Sequence, residues 1–323
     1  MKIKLDKFVI AIIVVIGIAY FFPQWGTEES PVPLDTISTI GISFIFFFYG
    51  LKLSPDKLKA GLKNWKLHVL VQVSTFLLFP LLVLVFHPFL KTEEQNTMWL
   101  GFFFLAALPS TVSSSVVMVS MAKGNMAAAI FNASISGIIG IAITPLWMGL
   151  FVDPAQTDFD FTDIYTKLIL QIIIPVVFGL LLQRYWGSFA IKHSVKLANF
   201  DKSIILLIIY KSFAESFEEN IFSAVSVLDL LLMSLGVIIL FYFVFYLTAF
   251  IAKKLHFNKE DQITAQFCGT KKSLVHGTVF SKILFGNMAS IGIILLPLML
   301  FHAIQILIIS VIASKLAKRK IYV

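Results

Sequence analysis

Cysteine, charge and grouped metal-ligating residues are all scarce in this chain. Its 323 residues contain one cysteine, Cys268, so an intrachain disulfide framework is excluded. Charged residues make up 14%, well below the ~25% of an ordinary soluble domain. His276 and His302 have no third His, Cys or acid at suitable spacing, so no zinc-type site is expected. A glycine-rich phosphate loop, a nucleophile elbow and paired carboxylates are also missing. We therefore expect neither an enzyme nor a resident cofactor. What the chain has in abundance is apolar surface: 58% of residues are hydrophobic and 33 are Phe. That is more than a soluble core can hide, and a bilayer must be the solvent.

The expected fold is all-α and polytopic. About ten apolar runs follow one another, from Phe8 to Phe22 through Ile291 to Ala317, each of a length suited to a membrane span or close to it. The first, behind MKIKLDK, lacks a small-residue cleavage site and reads as a retained span rather than a signal peptide. Numbering the connections alternately sends 20 of the 26 basic residues to one side. Four go to the other, Lys91, Lys167, Lys211 and Lys282, together with most of the acids. This bias is the positive-inside pattern, which predicts an inner-membrane protein with both termini cytoplasmic and an even span count. The net charge of +8 then reflects topology, and no nucleic-acid partner is expected.

Two basic residues belong to neither side. Lys271 and Lys272 fall near the middle of the ninth run, with no Asp or Glu at comparable depth. An ionisable group there costs roughly 3 kcal/mol on insertion scales and is normally retained for a purpose. Either lysine could instead snorkel along its four-carbon stem to the interface. The surrounding sequence argues for a polar site. Ten spans divide into two five-helix repeats, about 1–155 and 156–323 of a single transporter domain, which must enter the membrane in opposite senses. The fourth span of each half is interrupted by polar residues: Pro109, Ser110, Thr111, Ser113, Ser114 and Ser115 in one, Gln266, Gly269, Thr270, Lys271, Lys272 and Ser273 in the other. Such breaks free backbone groups that hydrocarbon cannot satisfy. We expect helices 4 and 9 to be broken and to touch across 109–115 and 269–273. Packing of small residues is the alternative explanation for the serines. The fifth span adds Asn132, Ser136, Gly140 and Thr144 along one face, and a buried Asn132 amide needs partners.

These residues resemble a known family. Ala122-Lys123-Gly124-Asn125, Pro109 with Ser113-Ser114-Ser115-Val116-Val117, and Thr144-Pro145 are similar to strings of the bile acid:sodium symporter family. Phe267 to Leu274, Tyr49 to Leu53, Ile208-Ile209-Tyr210 with Phe213, and His302 with Gln305-Ile306-Leu307 look more narrowly like the branch containing the vertebrate sodium/bile acid cotransporter 7. The resemblance implies a core domain holding the crossed, broken helices, a panel of the remaining helices, and Na+ as coupling ion. Ser115 matches a sodium-ligand serine, with Ser114 beside it, Asn132 as a substitute in the fifth span and Gln72 as the third span's candidate. Val116, Phe267 and Lys271 stand where sodium-coupled members have asparagine, glutamate and glutamine. A lysine ammonium would repel a neighbouring sodium ion by several kcal/mol, and can itself occupy a cation's place, meet an anionic substrate or carry a proton. The leading reading is a secondary active transporter of a small-molecule organic anion, bile-acid-like or smaller, working by alternating access. The alternative is a non-transporting membrane regulator of another transport system. Of the two lysines, Lys272 is the first choice for the ligand-facing charge.

Overall fold

The computed structural model describes residues 7–27, 30–53, 64–111, 113–152, 161–286, 288 and 290–319. The described residues are 85% helix, and no strand occurs among them. In order the helices are α1 (Lys7–Phe21), α2 (Leu34–Lys52), α3 (Trp65–Val73), α4 (Phe79–Leu84), α5 (Glu93–Ala107), α6 (Ser113–Met121) and α7 (Met126–Met148). They continue as α8 (Phe161–Leu168), α9 (Ile174–Lys192), α10 (Ser194–Glu218), α11 (Val227–Lys254), α12 (Lys259–Thr270), α13 (Leu274–Phe285) and α14 (Ile291–Ala317). Six helical stretches among the described residues are long and apolar enough to cross a membrane. The chain is thus a multi-pass membrane protein.

Several helix starts follow from side-chain caps legible in the sequence. Thr92 accepts from the Gln95 amide at 3.2 Å to open α5, and Asn258 accepts from the Asp261 amide at 2.8 Å to open α12. Ser226 and Asp229 form a reciprocal capping box at the head of α11. Each satisfies an amide that the first turn leaves without a helical partner.

Two prolines shape the helices in another way. A five-residue π turn, Ser74–Leu78, joins α3 to α4 just ahead of Pro80, and a second, Ile169–Ile173, joins α8 to α9 ahead of Pro175. In the first turn the Phe79 amide reaches back five residues to the Ser74 carbonyl. Pro80 comes next and has no N–H, so the Thr75 carbonyl loses the donor that this register would supply.

The chain divides into two compact units, each drawn from separated segments. Unit 1 comprises Met1–Ser54, Gly149–Val225 and Gly277–Leu295. Within it α2 and α9 cross at a pair of glycines: a Cβ on Gly50 would strike the Val176 carbonyl, and one on Gly179 the Phe47 carbonyl. Absence of side chains on both partners lets the two backbones meet, the small-residue contact of membrane helix pairs. Unit 2 comprises Pro55–Met148, Ser226–His276 and Leu296–Val323. Within it α12 packs against α3, α6, α7 and α11. The turn at Ala122-Lys123-Gly124-Asn125 ties α6 and α7 to the start of α12. Lys123 adopts a left-handed backbone, φ 53°; the Asn125 amide donates to Thr264 Oγ1 at 2.9 Å, and its side chain donates to the buried Asp261 at 2.8 Å. Asn64 donates to the other oxygen of that carboxylate at 2.6 Å, bringing in the head of α3.

The glycine crossing predicts a stability difference. Gly50→Ala and Gly179→Ala should each destabilise by about 1–3 kcal/mol through overpacking. Gly17→Ala in α1, where an added Cβ meets nothing within 4 Å, should be neutral or slightly stabilising. Thermal unfolding of the detergent-solubilised variants reads the contrast.

Candidate functional site

The polar interruptions in α5–α6 and α12–α13 lie together inside unit 2. Helix α5 ends at Ala107 and α6 begins at Ser113, while α12 ends at Thr270 and α13 begins at Leu274. The extended residues between them touch: the Ser273 amide donates to the Pro109 carbonyl at 2.9 Å, and Ser110 Oγ donates to the Cys268 carbonyl at 2.7 Å. The break is narrower than the sequence suggests, since Ser113, Ser114 and Ser115 open α6 and Gly269 and Thr270 close α12. Val112 and the Ser113 side chain lie outside the described residues.

Several of the backbone groups freed at the break find side-chain partners, as burial requires. Ser136 Oγ accepts from the Ser110 amide at 2.9 Å, and Thr144 Oγ1 donates to the Ala107 carbonyl at 2.8 Å. Gly140, between them on α7, has no Cβ to meet the Pro109 ring, which an added methyl would approach to 2.8 Å. On the other chain segment, Gln305 of α14 reads the Lys272 peptide from both sides. Its Oε1 accepts from the Lys272 amide at 2.9 Å, and its Nε2 donates to the Lys272 carbonyl at 2.8 Å. Ser273 Oγ accepts from the His276 amide at 3.3 Å and so caps α13.

The two lysines occupy different chemical environments, although both are fully buried. Lys272 Nζ donates to the carbonyls of Thr75 (2.7 Å), Ala106 (2.6 Å) and Leu108 (2.8 Å). It also lies 4.2 Å from the centre of the Phe79 ring, where the π face favours a cation. One of those carbonyls is freed by Pro80 in the π turn, and two come from the last turn and break of α5. All three ammonium protons are therefore taken by backbone. Lys271 Nζ has a single hydrogen bond among the described residues, to Ser114 Oγ at 2.8 Å. On this geometry Lys271 keeps donors unused among the described residues, whereas Lys272, the first choice from the sequence, gives all of its to the crossing.

Unit 2 also holds side-chain oxygens with spare capacity. Ser115 Oγ, Thr270 Oγ1 and Gln72 Oε1 are buried without a hydrogen-bond partner among the described residues. Gln72 Nε2 donates to Asn132 Oδ1 at 3.2 Å and to the Asn132 carbonyl at 3.3 Å. Asn132 Nδ2 donates to the Ala128 carbonyl at 3.0 Å. Helices α3, α6 and α7, which carry Gln72, Ser115 and Asn132, all pack on α12. Gln266 turns elsewhere, donating weakly to the Phe245 carbonyl of α11 at 3.4 Å. The helix directions add to the field: α5 and α12 point their carbonyl ends at the break, while α6 and α13 present amide ends that favour negative charge. The sequence reading assigned no role to Gln305 or Pro80. A lone amide within the apolar tenth run and a proline within the third were their only signals.

With this geometry in view, the comparisons with known proteins decide the family. The model of the SBF-like CPA transporter family matches residues 6–318. The chain belongs to that family. It is 36% identical to the uncharacterized protein PA2026 of Pseudomonas aeruginosa, over 98% of this chain and 94% of that one. It is also 36% identical to the "Putative symporter YfeH" of Escherichia coli, over 96% and 92% respectively. The sodium/bile acid cotransporter 7 of Rattus norvegicus is 32% identical, again over 96% and 92%. Membership makes this chain a transporter-family membrane protein. Among the described residues no group of three or more His, Cys, Asp or Glu could hold a metal ion.

The contrast between the lysines predicts opposite responses to removal of charge. Lys272→Met strands three buried carbonyls, each a loss of about 1–3 kcal/mol, and should lower the unfolding temperature sharply. Lys271→Met gives up one hydrogen bond and one buried charge and should leave that temperature level or raised. Differential scanning calorimetry of both variants checks the order.

Proposed function

We propose that the chain is a secondary active transporter of an organic anion, with Lys271 as the fixed cation that meets the anion's charged group. The observation that carries this is the unequal satisfaction of two adjacent buried lysines. Lys272 has given all its protons to backbone, whereas Lys271, bonded to Ser114 Oγ, keeps two donors among the described residues. A buried ammonium with unused donors is costly unless a ligand uses them. The amide ends of α6 and α13 add to the attraction for an anion, the device of broken helices in transporters. Ten spans in two inverted repeats, 1–155 and 156–323, cytoplasmic termini and alternating access complete the reading, supported by the lysine bias of the sequence and by the name of the symporter relative.

A second reading is favoured by a separate observation. Gln72 Oε1, Ser115 Oγ and Thr270 Oγ1 are the neutral oxygen ligands a sodium ion uses, and Asn132 lies beside Gln72. In this version Na+ is the coupling ion and binds with Ser114, Ser115 and Asn132, in keeping with the name of the cotransporter 7 relatives. The Lys271 ammonium opposes it electrostatically, which places anion binding first.

Uptake of labelled taurocholate and of smaller carboxylates into proteoliposomes, under imposed sodium, proton and potential gradients, tests both. Lys271→Met should reduce anion uptake about 10- to 100-fold, the loss of one charge-assisted contact, without loss of folded protein. Dependence on an inward sodium gradient that disappears in Ser115→Ala and Gln72→Leu would select the second reading. No uptake of any anion under any gradient by the folded parent would remove both and leave a regulatory role.

A further inference from the structure

Unit 1 contains a polar cavity of about 300 Å3 that none of the foregoing uses. Its wall includes Asp35 and Thr39 of α2, Lys167 of α8, Gln171 of the π turn, Lys211 and Glu215 of α10, and Lys282 of α13. Lys167, Lys211 and Lys282 are three of only four basic residues that the charge census assigns to the lysine-poor side of the membrane. A topology that keeps lysine off that side has gathered nearly all its exceptions around one hollow.

The hydrogen bonds show which of these charges are spent. Lys282 Nζ donates to the Asp35 carbonyl at 2.9 Å, to Thr39 Oγ1 at 3.0 Å and to Ser38 Oγ, with an Asp35 carboxylate oxygen at 3.4 Å. Its protons are fully engaged. Lys211 Nζ pairs with Asp35 at 2.6 Å and Glu215 at 2.9 Å, which leaves one of its three protons. Lys167 pairs only with Asp163, one turn away at 2.6 Å, and both side chains are about half exposed. Such an exposed pair contributes about 0.3–0.5 kcal/mol and is readily exchanged for another anion. The wall carries three lysines against Asp35 and Glu215, and the third, Lys167, is balanced by the half-exposed Asp163. Gln171 Oε1 is buried with no hydrogen-bond partner among the described residues, in a π turn of the kind that gathers at functional sites.

We propose that this cavity binds a small organic anion bearing a single carboxylate or sulfonate together with a hydroxyl or N–H donor. The anionic group takes the unused donor of Lys211 and replaces Asp163 on Lys167, and the ligand's own donor meets Gln171 Oε1. The volume lies at the low end of small-molecule sites, which excludes a sterol-sized body and selects a compact ligand. A network serving structure alone would leave neither a Lys211 proton nor a buried Gln171 acceptor unused.

The test is calorimetric titration of isethionate, which carries one sulfonate and one hydroxyl, into the detergent-solubilised full chain. All titrations use the Lys271→Met background, so that the anion site proposed above contributes nothing and the two readings can fail separately. We expect saturable binding that Lys167→Gln and Gln171→Leu each weaken about tenfold. Lys91→Gln, which removes the fourth lysine of that side outside the cavity, should bind as its parent does. Absence of saturable isethionate binding overturns the proposal, as does equal affinity in the Lys167→Gln, Gln171→Leu and Lys91→Gln proteins.

Discussion

The Lys272 ammonium, held by three main-chain carbonyls, is the contact on which the architecture of unit 2 rests. A charge at this depth loses several kcal/mol of hydration. Three charge-assisted hydrogen bonds of about 1.5–3 kcal/mol each return a similar amount, so the net effect on stability is small. What the arrangement supplies is geometry. The carbonyls at 75, 106 and 108 belong to two different interrupted helices, and only one placement of α12 relative to them satisfies one ammonium. Gln305 then fixes the Lys272 peptide from the opposite side. With its neighbour immobilised on both sides, Lys271 has little freedom, and its charge is presented from a rigid support.

The two units solve the problem of polar groups in a membrane protein differently. In unit 2 the Lys272 cation at the crossing is satisfied by backbone dipoles, with acceptors exposed at Pro80 and at the break of α5. In unit 1 the lysines meet carboxylates: Asp35 serves two of them, and Glu215 completes the set. Carboxylates neutralise a lysine and remain near the ends of their helices. Carbonyls leave the charge in place. A fixed positive field is therefore confined to the broken helices, while the cavity of unit 1 sits close to balance.

The sequence carried much of this but not its finest part. Pro109 and the Gly269 to Ser273 run located both breaks, because such residues cannot continue a helix in hydrocarbon without partners. The depth of Lys271 and Lys272 followed from counting along an apolar run. Which lysine remains available did not follow, because the answer depends on a carbonyl released by Pro80, nearly two hundred residues away. Gln266 illustrates the same limit: its place beside the break is plain, yet its side chain turns toward α11. The count of spans is affected by the breaks themselves. Each half of an interrupted helix, such as α6 with 9 residues or α13 with 12, is too short to cross alone and so is not among the six described stretches that are long and apolar enough to do so.

The spacing of the Lys272 contacts along the chain bears on how the protein is made. Its acceptors lie 164, 166 and 197 residues earlier. At ribosomal speeds of about 5–20 residues per second, those carbonyls wait roughly ten to forty seconds for the side chain that satisfies them. During that interval the N-terminal part of unit 2 has left the ribosome with open backbone acceptors at membrane depth, where hydrocarbon offers no substitute. Water, lipid headgroups or the insertion machinery must occupy them until α12 arrives. Assembly of unit 2 therefore includes a late exchange of a temporary partner for Lys272, and a nascent chain halted before residue 272 is an unfinished membrane protein rather than a folded half.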